Sequence, residues 1–245
     1  MAEHHEFTTL PSPAAVAMAT ADRFIASARD AIDARGIFRV ALSGGGTPKA
    51  VYPLLLEPER VRAVEWSRVE FFWGDERAVP PDHPESNFGV AYHALIAQLP
   101  GVRHDRIHRM AAESPDLDGA ALTYESEIRL AFDARGYRPP AFDLIWLGMG
   151  PDGHTASLFP DSDALDESDR WVVGNWAPSQ AAWRMTMTYP IINAAREALF
   201  VVTGADKAQA LRAIRDGDDA YPAGRVHAAR TSWLIDAASA GEASA

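Results

Sequence analysis

Short apolar runs alternate along the chain with longer stretches in which apolar residues recur at helical spacing. The runs predict buried strands at 38–42, 69–73, 142–147, 198–202 and 231–235. The longer stretches predict helices at 13–35, 50–56, 88–98, 119–134 and from Gly204 through Ile214. Apolar and polar side chains alternate over 171–176 and 183–188, which predicts two further strands. A stretch rich in Pro, Asp and Ser predicts a loop at 79–87.

The order of these elements predicts the fold class. Strands separated by helices indicate βαβ units, and therefore an α/β fold with a mainly parallel sheet and flanking helices. Ligands of such sheets bind beyond the carboxyl ends of the strands. The Gly-rich and charged segments of this chain all follow apolar strands. We therefore expect them to converge at one edge of the sheet and to form a single site.

The composition argues against several classes of binding partner. A formal net charge of −11 makes the chain a poor binder of nucleic acid or of anionic membranes, and no apolar run approaches the roughly 20 residues of a membrane-spanning helix. The absence of cysteine excludes disulfides, thiolate nucleophiles and cysteine-ligated zinc. Because the N-terminus also lacks the basic region of a signal peptide, we expect a soluble, cytoplasmic protein with a small-molecule ligand. Nothing in the pattern indicates an oligomeric state.

A Gly-rich turn, Ser43-Gly44-Gly45-Gly46-Thr47, follows the first of these strands and precedes a helix. Consecutive glycines at a helix start expose backbone N–H groups at its positive end, which is typical of a phosphate cradle. A tight turn without a ligand is the alternative. A Walker A loop is excluded because Lys49 is followed by Ala50 and the glycine spacing differs.

A second Gly-rich turn has the spacing of a dinucleotide-binding fingerprint, with Gly148, Gly150 and Gly153. Pro151 interrupts that fingerprint, and Pro160 limits any helix that follows. A nicotinamide or flavin site is therefore disfavoured, and we expect no cofactor.

His154 follows the second turn, beside Asp152, at the end of a predicted strand. Because imidazole titrates near neutral pH, it can accept a proton from water, and we expect His154 to act as a general base. Asp152 could orient the ring or raise its basicity. The alternative is a histidine that only caps the turn.

Three more charged segments are candidates for the site. Asp75-Glu76-Arg77 is a triplet of the kind that often forms a solvated charge cluster, but its place after a buried strand favours a site role for Asp75 and Arg77. Arg184 and Lys207 could bind an anion or be ordinary surface charges. No second histidine or paired carboxylate stands at a metal-ligand spacing, so we expect no metal.

Four blocks of the chain together strongly resemble the 6-phosphogluconolactonase family and, more distantly, glucosamine-6-phosphate deaminase. They are Ser-Gly-Gly-Gly-Thr-Pro at 43–48, Trp-Gly-Asp-Glu-Arg at 73–77 with Ser86-Asn87 after it, Gly-Met-Gly-Pro-Asp-Gly-His-Thr-Ala-Ser-Leu-Phe-Pro at 148–160, and Arg-Met-Thr-Met-Thr-Tyr-Pro at 184–190. The resemblance spans roughly residues 20–235. We expect a single α/β sugar-phosphate hydrolase domain over 1–236 and a flexible tail at 237–245.

The resemblance implies a doubly wound α/β fold and hydrolysis of 6-phosphoglucono-δ-lactone in the pentose phosphate pathway, with no metal and no cofactor. It places the family's catalytic base at His154 and a substrate-holding arginine at Arg77. It also matches the glycine turn at 43–46, Arg184 and Lys207 to sugar-phosphate positions of the wider superfamily.

Deaminases share the Gly-x-Asp-Gly-His block, but two departures favour the lactonase. Deaminases usually carry an aromatic residue after the Asp-Glu pair, where this chain has Arg77. After the histidine they usually continue with Ala-Phe-Asn-Glu-Pro, where this chain has Ala-Ser-Leu-Phe-Pro at 156–160. The glutamate that would support ring-opening acid chemistry is therefore missing. A deaminase-like isomerase and a non-catalytic sugar-phosphate sensor remain the alternatives.

Overall fold

The computed structural model describes residues 5–242. Its strands are β1 (His5–Leu10), β2 (Phe38–Leu42), β3 (Val69–Trp73), β4 (Asp75–Arg77), β5 (Leu144–Leu147), β6 (Val172–Ala177), β7 (Ala182–Met187), β8 (Ala198–Val202) and β9 (Thr231–Asp236). Its α-helices are α1 (Pro13–Arg35), α2 (Gly46–Leu55), α3 (Pro58–Ala63), α4 (Asn87–Ala94), α5 (Leu117–Ala131), α6 (Tyr189–Asn193) and α7 (Ala208–Arg215).

The strands form two sheets that meet at Gly74. One is a six-stranded parallel sheet in the order β1-β9-β8-β5-β2-β3, and the other is a three-stranded antiparallel sheet in the order β4-β7-β6. The N–H of Gly74 donates to the carbonyl of Leu42 in the parallel sheet, and its carbonyl accepts the N–H of Met187 in the small sheet. The small sheet therefore begins at the carboxyl end of β3, where parallel sheets bind their ligands.

Apolar side chains fill both faces of the parallel sheet. Along β5, Leu144 and Trp146 belong to the core that includes α1, α2 and α4. The alternate residues Ile145 and Leu147 belong to the core that includes α5, α6 and α7. Burial on both faces explains why these strands read as continuous apolar runs. The expected α/β fold, a doubly wound and mainly parallel sheet with flanking helices, is confirmed.

Local signals account for the bounds of α1, which match the predicted helix at 13–35. The hydroxyl of Ser12 accepts the N–H of Ala15 in the first turn, and Pro13 occupies the first helical position. Gly36 ends the helix in the left-handed region, with φ 76°. Glycine adopts that conformation without a Cβ clash, which makes it the usual residue at this position.

Two strands and several boundaries differ from the predictions. β1 is an edge strand whose residues are all at least partly exposed, and β4 consists of three charged residues, so neither shows an apolar pattern. The predicted helix at 88–98 is α4 followed by a short 3-10 turn at Ile96–Gln98. The last predicted helix begins at Ala208, after another 3-10 turn at Ala205–Lys207. Patterns of burial, on which these predictions rest, locate elements better than their ends.

The segment after β9 starts with a packed turn. Ser239 is buried, and its N–H donates to the carboxylate of Asp236. The N–H of Ala237 donates to the carbonyl of Leu10, at the end of β1. The single domain over 1–236 and the flexible tail at 237–245 stay predictions, and residues 1–4 and 243–245 of those spans lie outside the described residues.

A partly buried ion network around His108 joins β3 to α5. The ring of His108 stacks on Phe72, with centroids 4.5 Å apart, and its Nε2 lies 3.1 Å from a carboxylate oxygen of Glu70. Its Nδ1 lies 3.7 Å from Glu127, and Arg39 donates to the second oxygen of Glu70. Burial alone lowers the pKa of His108, but the hydrogen bonds and charges of Glu127 and Glu70 outweigh it and raise that pKa to about 9.

This network predicts a loss of stability in mildly alkaline solution. The folded-state pKa of His108 lies above the roughly 6.5 of an unfolded chain, so its stabilisation is complete below pH 6.5 and is lost as pH rises through about 9. His108→Gln, which keeps a hydrogen-bonding side chain but does not titrate, should lower the free energy of unfolding by roughly 1–3 kcal/mol at pH 6 and by much less at pH 10. Urea unfolding of both proteins at the two pH values measures this. An equal difference at both pH values would contradict a charged His108.

Candidate active site

A cavity of about 280 Å³ opens at the carboxyl ends of β2, β5 and β8. Its wall consists of Ser43, Gly44, Gly45, Gly46, Thr47, Pro48, Asp75, Arg77, Gly148, Met149, Gly150, Pro151, His154, Ala156, Val201, Val202, Thr203 and Lys207. The structure therefore brings the predicted site residues together, with two exceptions. Asp152 is outside the wall but is hydrogen-bonded to His154, which is part of it. Arg184 is also outside the wall.

The ring of His154 is fixed by two neighbours. Its Nδ1 lies 2.5 Å from Oδ1 of Asp152, and its centroid lies 4.3 Å from that of Phe159. Burial opposes ionisation of Asp152, but the hydrogen bond and charge of His154 outweigh it and hold the pKa of that carboxyl below its ordinary value. When the imidazole carries its proton on Nδ1, the ionised carboxylate accepts a hydrogen bond from that N–H, and the lone pair on Nε2 can accept a proton.

Gly150 makes room for this arrangement. A Cβ on Gly150 would lie 2.1 Å from Nδ1 of His154 and 2.5 Å from Oδ1 of Asp152. The N–H of Gly150 donates to the carbonyl of His154, which closes the turn. The glycine spacing that imitates a dinucleotide fingerprint therefore has a different cause, because here a glycine lies beneath the His154–Asp152 pair.

The glycine turn after β2 presents the uncapped start of a helix to the cavity. α2 begins at Gly46, and no side chain caps its first N–H groups. The hydroxyl of Thr47 lies 3.2 Å from that of Thr203, which joins this turn to the segment after β8. Unsatisfied N–H groups at a helix start carry partial positive charge. This part of the wall is therefore suited to an anion.

Asp75 contributes a buried carboxylate to the cavity wall. Its Oδ1 accepts a side-chain N–H of Asn87 at 3.1 Å, and its Oδ2 accepts the hydroxyl of Ser157 at 2.8 Å. Two neutral donors leave unused lone pairs on a carboxylate. Asp75 can therefore accept hydrogen bonds from hydroxyl groups of a ligand in the cavity.

Glu76 has a different task from its neighbours on β4. It accepts hydrogen bonds from the backbone N–H groups of Arg77, Asn87 and Phe88 and from the hydroxyl of Ser86. Burial raises the pKa of Glu76, although these bonds oppose the shift. Because successive side chains of a strand point to opposite faces, Asp75 and Arg77 line the cavity while Glu76 holds the start of α4.

Arg77 and Arg184 are direct partners across β4 and β7. Arg77 donates to the carbonyl of Glu85, and Arg184 donates to the carbonyl of Trp183 and to the side-chain oxygen of Gln180. Burial lowers the pKa of Arg184, and the positive charge of Arg77 lowers it further. Neither arginine forms an ion pair within residues 5–242. This like-charge pair therefore raises the positive potential at the β4 side of the cavity.

Lys207 stands at the other side of the cavity, in the 3-10 turn after β8. Its Nζ lies 2.7 Å from Oδ2 of Asp206, and the hydrogen bond from Lys207 holds the pKa of that carboxyl below its ordinary value. The Asp206 side chain is 61% exposed. Exposed ion pairs contribute little to stability, so an anion in the cavity can replace Asp206 as the partner of Lys207.

Sequence reasoning did not identify three contributors to this region. Lys49 lines a second cavity of about 240 Å³, which shares Gly44, Gly45, Gly46 and Arg77 with the first. Asn87 and Ser157 hold Asp75, as described above. Asn87 did carry a signal, because Ser86-Asn87 accompanies the Asp-Glu-Arg block in the family resemblance. Ser157 carried a similar signal, because it stands in the resemblance block at 148–160. Lys49 carried none that separates it from other polar residues.

Two features are absent from residues 5–242. No helix there is long and apolar enough to span a membrane. No group of three or more His, Asp or Glu side chains there is arranged so that it could hold a metal ion.

Comparison with known proteins places the chain in a family. Residues 11–234 match the model of the glucosamine-6-phosphate isomerases/6-phosphogluconolactonase family. The chain belongs to this family. The 6-phosphogluconolactonase of a Nostoc species is 38% identical over 240 residues, which cover 96% of this chain and 97% of the relative. That of a Synechocystis species is 42% identical over 211 residues, which cover 84% of this chain and 85% of the relative.

A solved structure extends the similarity to the fold. The 6-phosphogluconolactonase from Trypanosoma cruzi superposes with a TM-score of 0.85 at 27% identity, over 98% of each chain. Membership of the glucosamine-6-phosphate isomerases/6-phosphogluconolactonase family confirms the resemblance carried by the four sequence blocks. The family's description names two activities, so membership alone does not separate them.

The close approach of Gly44 to Asn87 yields a prediction about stability. A Cβ on Gly44 would lie 1.8 Å from Oδ1 of Asn87, whose side-chain N–H groups hold Asp75. Gly44→Ala should therefore lower the free energy of unfolding by about 1–3 kcal/mol, as overpacking does. Gly46→Ala is the matched control, because nothing lies within 4 Å of its added Cβ, and it should change stability by less than about 0.5 kcal/mol. Chemical unfolding measures both, and equal effects would show that Asn87 moves aside freely.

Proposed function

We propose that this chain hydrolyses 6-phospho-D-glucono-1,5-lactone to 6-phosphogluconate, the lactonase step in the oxidative branch of the pentose phosphate pathway, in the cytoplasm. The observation that carries the proposal is that His154, hydrogen-bonded to Asp152, lies in the wall of a cavity that also contains an uncapped helix start and Lys207. A base and an anion site in one cavity suit a phosphorylated lactone. The names of the similar proteins support the same activity.

His154 is the general base of the proposed reaction. Asp152 accepts a hydrogen bond from the N–H at Nδ1, so Nε2 can accept a proton from a water molecule aimed at the lactone carbonyl. The water oxygen then bonds to the carbonyl carbon. When the tetrahedral intermediate collapses, His154 returns the proton to the ring oxygen as the C–O bond breaks. A δ-lactone is an activated ester, so a positioned water and a base suffice without a nucleophilic side chain.

Arg77 is the donor that we assign to the oxyanion of that intermediate. The N–H groups of Gly150, Gly153 and His154 are engaged within the turn, with the carbonyls of His154 and Gly150 and the carboxylate of Asp152. The guanidinium of Arg77 lines the cavity and makes one hydrogen bond there, to the carbonyl of Glu85. Its remaining donors can face developing negative charge, which is where preorganised donors contribute most.

The phosphate of the substrate binds at the β8 side of the cavity. The N–H groups at 44–47 and the ammonium of Lys207 supply the donors there. Arg184 contributes through its charge beside Arg77. The carboxylate of Asp75 repels a phosphate and accepts hydroxyl groups, so it faces the sugar ring.

Removing the base tests the mechanism. His154→Ala should lower kcat for 6-phosphogluconolactone by about 10²- to 10⁴-fold, the usual effect of losing a general base, with little change in stability. His93→Ala is the matched control, because His93 is exposed on α4 and outside the cavity. Rates follow from proton release, and ammonia release from glucosamine 6-phosphate checks the isomerase activity. A His154→Ala protein with the wild-type rate would refute the assignment, and ammonia release by the wild type would favour the deaminase-like alternative.

Removing the cations tests the phosphate site. Lys207→Ala should raise KM by about 10- to 150-fold, because a hydrogen bond to a charged group contributes roughly 1.5–3 kcal/mol, with a smaller effect on kcat. Arg184→Ala should raise KM by less, because Arg184 lies outside the cavity wall and acts through its charge. Both should reduce the preference for phosphorylated over plain lactone. Arg135→Ala, which removes an exposed arginine, is the control. A wild-type KM and preference in both variants would place the phosphate elsewhere. An effect of Lys207→Ala alone would assign Arg184 to the surface.

A further inference from the structure

The chain makes a tight turn between His154 and Phe159. Thr155 and Leu158 exchange two backbone hydrogen bonds, of 3.3 and 2.8 Å. Ala156, at the centre of this turn, has φ 49°, in the left-handed region that costs a residue with a Cβ about 1 kcal/mol or more. A turn that contains such a residue needs contacts from outside to hold it.

Ser157 supplies three such contacts. Its hydroxyl donates to Oδ2 of Asp75 at 2.8 Å, its N–H donates to the hydroxyl of Thr186 at 3.1 Å, and its carbonyl accepts a side-chain N–H of Asn175 at 2.7 Å. Asp75 lies on β4, Thr186 on β7 and Asn175 on β6. One residue of the turn therefore contacts all three strands of the small sheet.

These contacts are shielded from water. Ser157 is 1% exposed, Asn175 3% and Thr186 0%. Hydrogen bonds in such surroundings are geometrically exacting, because a buried group that loses its partner cannot turn to solvent. The contacts therefore do more than cap the turn, because they fix the distance between the turn and the small sheet.

Two parts of the site depend on that distance. His154 lies three residues before Ser157 in the same short segment, and Asp75 accepts the hydroxyl of Ser157 directly. Arg77 lies two residues after Asp75 on the same face of β4. The loop of His154 follows a strand of the parallel sheet, and Arg77 belongs to the small sheet. The contact between Ser157 and Asp75 therefore sets the distance between the base and the oxyanion donor.

We propose that Ser157 is a positioning residue that holds the loop of His154 in register with Asp75 and Arg77. This inference rests on the proposed lactonase reaction. The hydroxyl of Ser157 donates to Asp75, and Ser157 is not part of the cavity wall. Its effect is exerted through Asp75, which orients the sugar ring, and through the turn that carries His154.

Ser157→Ala removes the hydroxyl and leaves the backbone contacts in place. We expect kcat to fall by about 10- to 100-fold, as misplacement of reacting groups does, with KM changed by less than about threefold because the phosphate site is intact. Ser162→Ala is the matched control. Its hydroxyl is also buried in this segment, donates to the carbonyl of Phe159 and accepts from Asn175, but it does not contact Asp75. The control should keep kcat near the wild-type value at a similar melting temperature.

A double-mutant cycle separates positioning from a loss of stability. If Ser157 acts through Asp75, then Ser157→Ala should change kcat by less than about threefold in an Asp75→Asn background, since contacting residues are not additive. Full additivity of the two substitutions, or equal kcat losses in Ser157→Ala and Ser162→Ala, would overturn the proposal. His154→Ala measured in the same assay distinguishes this failure from failure of the proposed reaction. If His154→Ala is inactive while the cycle is additive, only the role of Ser157 is wrong.

Discussion

The parallel direction of β2, β5 and β8 is the constraint on which the site depends. Parallel strands deliver their carboxyl ends to one edge, so the three segments that follow them must meet there. Those segments are the glycine turn, the turn of His154 and the segment of Lys207. The apolar packing on both faces of the sheet holds the strands, and the loops contribute the polar groups. The sheet is therefore the frame that brings together side chains that are distant in sequence.

The small antiparallel sheet contributes two charged side chains of β4 to the cavity wall. Gly74 connects β3 to β4, and within three residues the chain places Asp75 and Arg77 against the cavity. The polar contacts of Asn87 and Ser157 hold Asp75 between the two sheets. Buried polar groups of this kind are costly unless each is satisfied. Their satisfaction by neutral donors keeps Asp75 available as an acceptor, and no carboxylate within residues 5–242 forms an ion pair with Arg77.

The sequence predicts those parts of the site that depend on local structure. A strand followed by consecutive glycines indicates the anion-binding turn, and a histidine two residues after an aspartate indicates the His154–Asp152 pair. Contacts across the chain were not predictable in this way, because Ser157 and Asp75 are 82 residues apart and serine occurs in many roles. Arg184 shows the limit of motif matching. Its pairing with Arg77 follows from strand register, and it lies outside the cavity wall, so its match to a sugar-phosphate position stays a prediction.

The central claim is that the residues of this cavity catalyse hydrolysis of the ring ester of a phosphorylated lactone. The direct measurement is proton release after the purified protein is mixed with freshly generated 6-phosphogluconolactone, compared with the unphosphorylated δ-lactone and with the spontaneous hydrolysis of each. A base at His154 and an anion site at the β8 side predict rapid release of one proton for each phosphorylated lactone consumed, and a much lower rate with the plain lactone. Spontaneous rates with both lactones, or equal acceleration of both, would contradict the account.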